Sequence, residues 1–478
     1  MIYRTFARYV LATGVPAAVN FLALTIYSRL LTPAAYGAYS LVLATVGVAN
    51  ALAFQWIRAA ARRYLPEDAT RIELLAALRR VYAALIAVAA LATLAFAIAR
   101  PELRELAAIG FGLLVVQAWF ELNLEIFLAD LQPGHYGAMT FTRALSGLAV
   151  GVLLVRAGLG AYGVLIGQVV GYLLPAAWAT PRLWRGLPGV AGSGTHVMTL
   201  ARYGLPLTAG YALQFVVDFS DRFLLGALRS VDEVGGYAVS YDLAAQSLTL
   251  LCMMVNLAAY PIALRALREK GATAARSRLR EQAAALMALT LPALVGITVL
   301  APALARTLLG SAFHADATRL MPIVALGVFF GGFKAYYFDT AFHFGERTSE
   351  IVRVGIVAGL LNIGLNLAWI PRHGADGAAW ATVVAYLVAC GVSAWRGRTV
   401  FALPLPWAAW IKVALVSALM GVAIWPLRHA QGWVPVLGAV GLGGVVYGAG
   451  LLLLDVENLR SRLRAALQSA RAVRGAER

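Results

Sequence analysis

The chain has 478 residues, of which 61% are hydrophobic and 13% charged, and its formal net charge is +17. A soluble domain carries roughly 45–50% apolar and about 25% charged residues, so this composition excludes an ordinary soluble enzyme and calls for many lipid-facing helices. Nucleic-acid binding is excluded too, because the basic residues form short clusters between apolar stretches and leave no segment long enough for a soluble domain.

The first apolar stretch, near 9–30, follows Arg4 and Arg8 and lacks a small-residue cleavage site, so it reads as an uncleaved span. Apolar windows of helix-spanning length continue near 38–57, 81–99, 107–128, 140–156 and 162–180. They resume near 203–227, 237–261, 283–304, 320–342, 352–370 and 377–394, and end with 408–427 and 434–454. The expected fold is therefore an all-α polytopic membrane protein with about fourteen spans.

An ionisable group within a span costs several kcal/mol unless it pairs or meets water, so each is a candidate for function. Span 2 ends on Gln55, Trp56 and Arg58, which would meet an anionic group arriving from the cytoplasm. Span 4 carries Glu121 and Glu125, four apart and so on one helical face, as proton carriers or as partners of Arg143 or Arg58. Span 7 carries Asp218, Asp221 and Arg222; Asp218 and Arg222 can neutralise each other, or the group can form a charged lining. Asp242 lies early in span 8, as a further candidate partner for Arg222.

Span 10 carries Lys334, Tyr336, Tyr337 and Asp339. Lys334 either holds an anionic group as a point charge, with the two tyrosines available for stacking beside it, or is neutralised by Asp339 slightly more than one turn away. Pro16 and Pro206 occupy matching places in spans 1 and 7 and favour kinks there, as hinges or as static curvature. Cys252 and Cys390 each lie inside a span, which argues against a disulfide framework or a metal site.

With the N-terminus inside, about 29 of the 40 lysines and arginines fall on the cytoplasmic side, as the positive-inside rule requires. Both termini are then cytoplasmic. The outer loops are too short for a folded extracytoplasmic domain. The basic segments Glu67–Arg80 and Arg265–Glu281 are expected to lie on the inner surface near anionic lipids.

The chain also repeats itself. Asp130–Leu174, with Gly160-Ala-Tyr-Gly163 and Val169-Val-Gly-Tyr172-Leu, resembles Phe344–Val388, with Gly374-Ala-Asp-Gly377 and Val383-Val-Ala-Tyr386-Leu, at a constant offset of 214 residues. At that offset Glu125 maps onto Asp339. A second echo joins Tyr36-Gly37-Ala-Tyr39 to Gly235-Gly236-Tyr237. These echoes predict two six-helix lobes, 1–180 and 203–394, related by a pseudo-two-fold along the membrane normal. Two further helices would follow at 408–454, then a basic cytoplasmic tail at 455–478.

The stretch Tyr27-Ser-Arg-Leu-Leu-Thr-Pro-Ala-Ala-Tyr-Gly-Ala-Tyr-Ser40, followed by Phe54-Gln-Trp-Ile-Arg58 and Arg62-Arg-Tyr-Leu-Pro66, resembles the multidrug/oligosaccharidyl-lipid/polysaccharide exporter superfamily. Within it, the chain is most similar to the Wzx-type lipid-linked oligosaccharide flippases. The resemblance implies a central cavity that opens alternately to either membrane face. It implies as cargo an undecaprenyl-diphosphate-linked O-antigen or exopolysaccharide unit, flipped across a bacterial inner membrane. The polysaccharide polymerase machinery is the partner such a path suggests. A lipid-II flippase and a drug/cation antiporter of the same fold are alternatives, and a polytopic glycosyltransferase or ligase fits less well for want of a catalytic loop. No Walker A sequence is present, so a proton or sodium gradient or the membrane potential is the expected drive, with no cofactor.

Overall fold

The computed structural model describes residues 16, 18–66, 71–185, 194–458, 460 and 461, without the side chains of 194, 195, 207, 209–218 and 458. Each of the fourteen predicted spans contains helix. The helices are α1 (Ala18–Leu30), α2 (Pro33–Tyr64), α3 (Arg71–Ala99), α4 (Arg104–Ala129), α5 (Pro133–Leu154), α6 (Gly160–Leu183) and α7 (Gly194–Leu228). After them come α8 (Val231–Leu308), α9 (His314–Phe333), α10 (Thr340–Phe344), α11 (Ser349–Val400), α12 (Trp407–Ile424) and α13 (Trp433–Leu453). Nine helical runs among the described residues are long and apolar enough to cross a membrane. The chain is a multi-pass membrane protein.

Local chemistry sets the helix ends. Thr32 caps α2, its hydroxyl accepting from the Ala35 N–H at 3.3 Å, and Pro33 occupies the first turn, where its missing N–H leaves no bond unmade. The 78-residue α8 would measure about 117 Å if straight, several bilayer thicknesses. It is divided at Gly271, whose φ of 80° is open to glycine. The predicted surface segment Arg265–Glu281 is thus helical on both sides of that break. In the same way α11 is divided at Gly374, while α7 stays helical through Pro206.

Two compact units emerge from the packing: Met1–Val239 with Ile363–Ala375, and Ser240–Asn362 with Asp376–Arg478. The first differs from the predicted lobe 1–180 because α7 and the start of α8 pack on α2. The reason is visible at two glycines. A Cβ on Gly37 would strike the Val231 carbonyl, and one on Gly235 would strike the Pro33 carbonyl, so each glycine faces the carbonyl four residues before the other. Only hydrogen side chains allow this reciprocal backbone crossing. Within the same unit α5 and α6 meet through Gly147, Gly151, Gly167 and Gly171, small residues at four-residue spacing on both helices.

In the second unit, α12 and α13 pack on the second half of α8. The Trp410 indole donates to the Ala283 carbonyl at 3.2 Å and the Tyr447 hydroxyl to that of Ala288 at 2.6 Å. Each removes an otherwise unmatched polar group from hydrocarbon. Residues 334–338 form a π-helical turn between α9 and α10, with the Asp339 N–H bonded to the Lys334 carbonyl five residues back at 2.8 Å.

Candidate functional site

Two polar stripes face each other in the first unit. On α2, Asn50, Arg58 and Arg62 recur at multiples of four residues, and on α4 so do Gln117, Glu121 and Glu125; each set therefore lies along one face of its helix. Packing of α2 against α4 closes the stripes into rungs. Arg58 pairs with Glu121. Arg62 pairs with Glu125, its Nε donating to Oε2 at 2.8 Å and its Nη2 to the other oxygen. A third pair, Arg71 with Asp130 at 2.8 Å, continues the series beyond the end of α2.

The rungs are not equally wet. The Arg58 side chain is 10% exposed and that of Arg62 59% exposed, while their carboxylate partners Glu121 and Glu125 are 23% and 16% exposed, so between these two rungs it is the arginines that pass from the protein interior toward water. Breaking one partner of a buried pair costs about 3–5 kcal/mol, whereas an exposed pair is worth about 0.2–1 kcal/mol. Amides support the inner rung. Asn50 Nδ2 donates to Glu121 Oε2 at 2.8 Å and Gln117 Nε2 to Oε1 at 2.9 Å, while Gln55 Oε1 accepts from Arg58 Nη2. Asn50 Oδ1 is buried with no hydrogen-bond partner among the described residues.

Glu121 thus takes the anticipated Arg58, but Glu125 takes Arg62. Arg143 instead donates to the Tyr172 hydroxyl at 3.1 Å and to Asn20 Oδ1 at 3.3 Å. Arg62 was missed as a site residue. Its signal was present: the spacing of Arg58 and Arg62 equals that of Glu121 and Glu125.

The second charged cluster is the buried pair Lys334–Asp339. Lys334 Nζ donates to Asp339 Oδ2 at 2.7 Å, and Ser393 Oγ donates to Oδ1 at 2.6 Å. Five-residue spacing suits this pair because the π turn winds wider than an α-helix and brings residues i and i+5 together. The neutralised alternative for Lys334 is the one observed.

In the third, the Arg222 N–H donates to Asp221 Oδ1 at 2.8 Å, Arg222 Nη1 donates to Ser40 Oγ at 3.1 Å, and the Tyr237 hydroxyl donates to Asp221. All four residues are buried. The Asp218 side chain, and with it the predicted Asp218–Arg222 pair, lies outside the described residues. Asp242 is half-buried on α8.

Three aromatic candidates part company. Trp56 is buried, and Gly204 of α7 packs against its backbone and Cβ. Tyr337 is fully buried with its hydroxyl donating to the Pro404 carbonyl. Tyr336 is half-buried, its carbonyl accepting from Gln282 Nε2 at 2.8 Å. Among the described residues no cluster of three or more His, Cys, Asp or Glu is arranged to hold a metal.

Residues 26–318 match the family model described as "Polysaccharide biosynthesis protein". No curated protein sequence matches the chain. Among solved structures the fold is similar to the lipid II flippase MurJ in an inward closed conformation, with TM-score 0.76 and 13% identity, covering 94% of this chain and 99% of that one. It is also similar to a multidrug resistance MATE family transporter of the MOP superfamily. The outward-facing form gives TM-score 0.54 and 16% identity over 83% of this chain and 94% of that one. The inward-facing form gives 0.52 and 15% over 82% and 97%.

Proposed function

The chain belongs to the family of polysaccharide biosynthesis proteins, and on that premise we propose that it is a flippase for an undecaprenyl-diphosphate-linked oligosaccharide. It works by alternating access in a bacterial inner membrane, with both termini cytoplasmic. A diphosphate-linked sugar cannot cross about 30 Å of hydrocarbon unaided, because its polar groups would lose their hydration without replacement. The protein supplies that replacement.

The observation that supports this reading best is the arginine ladder, a line of cations running from a wet position at Arg62 to a nearly dry one at Arg58. Guanidinium groups grip phosphate oxygens in pairs, and a low-dielectric setting strengthens the contact. Arg58 and Arg62 hold the diphosphate. Lys334 and Arg222, each held within a buried polar cluster, brace their helices instead. A proton or sodium gradient, or the membrane potential, resets the transporter, and a polysaccharide polymerase receives the product.

The direct test is surface polysaccharide output in cells carrying Arg58→Ala or Arg62→Ala at matched expression. Both should lose most of the output; normal output from both removes the ladder from transport. Lipid II as cargo is the second reading, favoured by the likeness to the lipid II flippase over 94% of this chain. Rescue of cells depleted of their own lipid II flippase would establish it in place of the first.

A further inference from the structure

The geometry points to Glu121 as a built-in stand-in for the cargo phosphate: an anionic head group reaches Arg58 by exchanging with this carboxylate, so the ladder selects a diphosphate over weaker anions. The inference rests on the flippase reading above and concerns how the same site chooses its ligand.

Arg58 does not wait as a bare cation. Its charge is matched by Glu121 in a setting where its side chain is only 10% exposed. A phosphate can take Arg58 only if Glu121 lets go, and an abandoned buried carboxylate is ordinarily prohibitive. Here it would not be abandoned. Asn50 and Gln117 donate to different oxygens of Glu121, at 2.8 Å and 2.9 Å, and neither bond involves Arg58. The carboxylate keeps a donor on each oxygen after the arginine has left. Arg58 keeps Gln55, three residues before it on the same helix, and so remains oriented through the exchange.

At the outer rung Arg62 and Glu125 stand one helical turn away, with Arg62 59% and Glu125 16% exposed, so a head group arriving from water meets the Arg62 guanidinium before that of Arg58.

Selectivity follows from charge. An incoming diphosphate brings more negative charge and more acceptor oxygens than the single carboxylate it displaces, a monophosphate exceeds that carboxylate by less, and a singly charged head group brings no more charge. A carboxylate already in place thus competes for Arg58 on equal terms with other carboxylates and singly charged head groups, and a discriminating site needs such an element against weaker ligands. The i,i+4 register of both helices lets the two exchanges occur in sequence along one line.

The experiment titrates the purified full chain in detergent micelles with farnesyl diphosphate, farnesyl monophosphate, farnesol and inorganic diphosphate, read by tryptophan fluorescence. Wild type should bind farnesyl diphosphate in preference to the monophosphate. Glu121→Gln should bind both about tenfold more tightly and lose most of the preference, because the competitor has gone. An affinity no higher than wild type, or an unchanged preference, overturns the proposal. If Glu121→Gln does not fold, Glu125→Gln carries the same test at the outer rung: tighter binding supports exchange, and unchanged binding of both lipids overturns it. Wild type that treats farnesyl diphosphate like farnesol removes the flippase reading and this inference together. Equal competition by inorganic diphosphate, with the Glu121→Gln gain intact, leaves the exchange standing on a soluble phosphate and overturns only the lipid cargo.

Discussion

Gly160 and Gly374 hold the same backbone conformation, φ 51° and ψ −128° at the first, φ 54° and ψ −134° at the second. They are the corresponding glycines of the two copies of the internal repeat. Their surroundings differ: a Cβ at Gly160 would meet nothing within 4 Å, while one at Gly374 would strike the Glu233 carboxylate. Glu233 in turn accepts from the Ala375 N–H at 3.2 Å and from Arg229 Nε at 3.0 Å.

This pair separates backbone strain from crowding. Gly160→Ala should destabilise by about 1–3 kcal/mol through strain alone, since that region of φ and ψ is closed to L side chains. Gly374→Ala should lower the unfolding temperature further, because it also displaces Glu233 from the Ala375 N–H. Thermal unfolding of the purified variants decides it, and equal losses would contradict the crowding at Gly374.

The Gly37–Gly235 crossing predicts a sub-additive double mutant. Either alanine alone must push α2 and α8 apart, and once they are apart the second adds little. Single variants should each lose stability, with a coupling on the order of 0.5–3 kcal/mol between them, as for residues in direct contact. Strict additivity in thermal unfolding would mean that the helices do not cross there.

For Lys334 and Asp339, removing either charge alone should destabilise by about 3–5 kcal/mol, because the partner is left buried and uncompensated. The double variant Lys334→Met/Asp339→Leu should recover most of that stability. If it also exports polysaccharide normally, the pair is a brace. A folded but inactive double variant would return Lys334 to the cargo path.

Orientation can be read by cysteine labelling. Cys252 and Cys390 are buried and should stay silent, while Ser277 and Ser311 are exposed. With a cytoplasmic N-terminus, Ser311→Cys should react with a membrane-impermeant maleimide in intact cells, and Ser277→Cys only after permeabilisation. The reverse pattern would invert the proposed topology.

The chain's one-dimensional pattern was enough to show an all-helical multi-pass membrane protein and where its apolar helices lie, because crossing hydrocarbon is a local demand on length and apolarity. It also exposed the repeat that pairs Gly160 with Gly374, and it identified Arg58, Glu121, Lys334 and Asp339 as charges in apolar surroundings. Partnership was another matter. Whether Glu125 meets Arg143 or Arg62 depends on how far α4 is rotated and shifted against α2, and nothing within either helix encodes that register. The burial of Trp56 and Tyr337, and the close seat of α7 on α2, likewise follow from residues far apart in the chain fitting together, which only the packed structure decides.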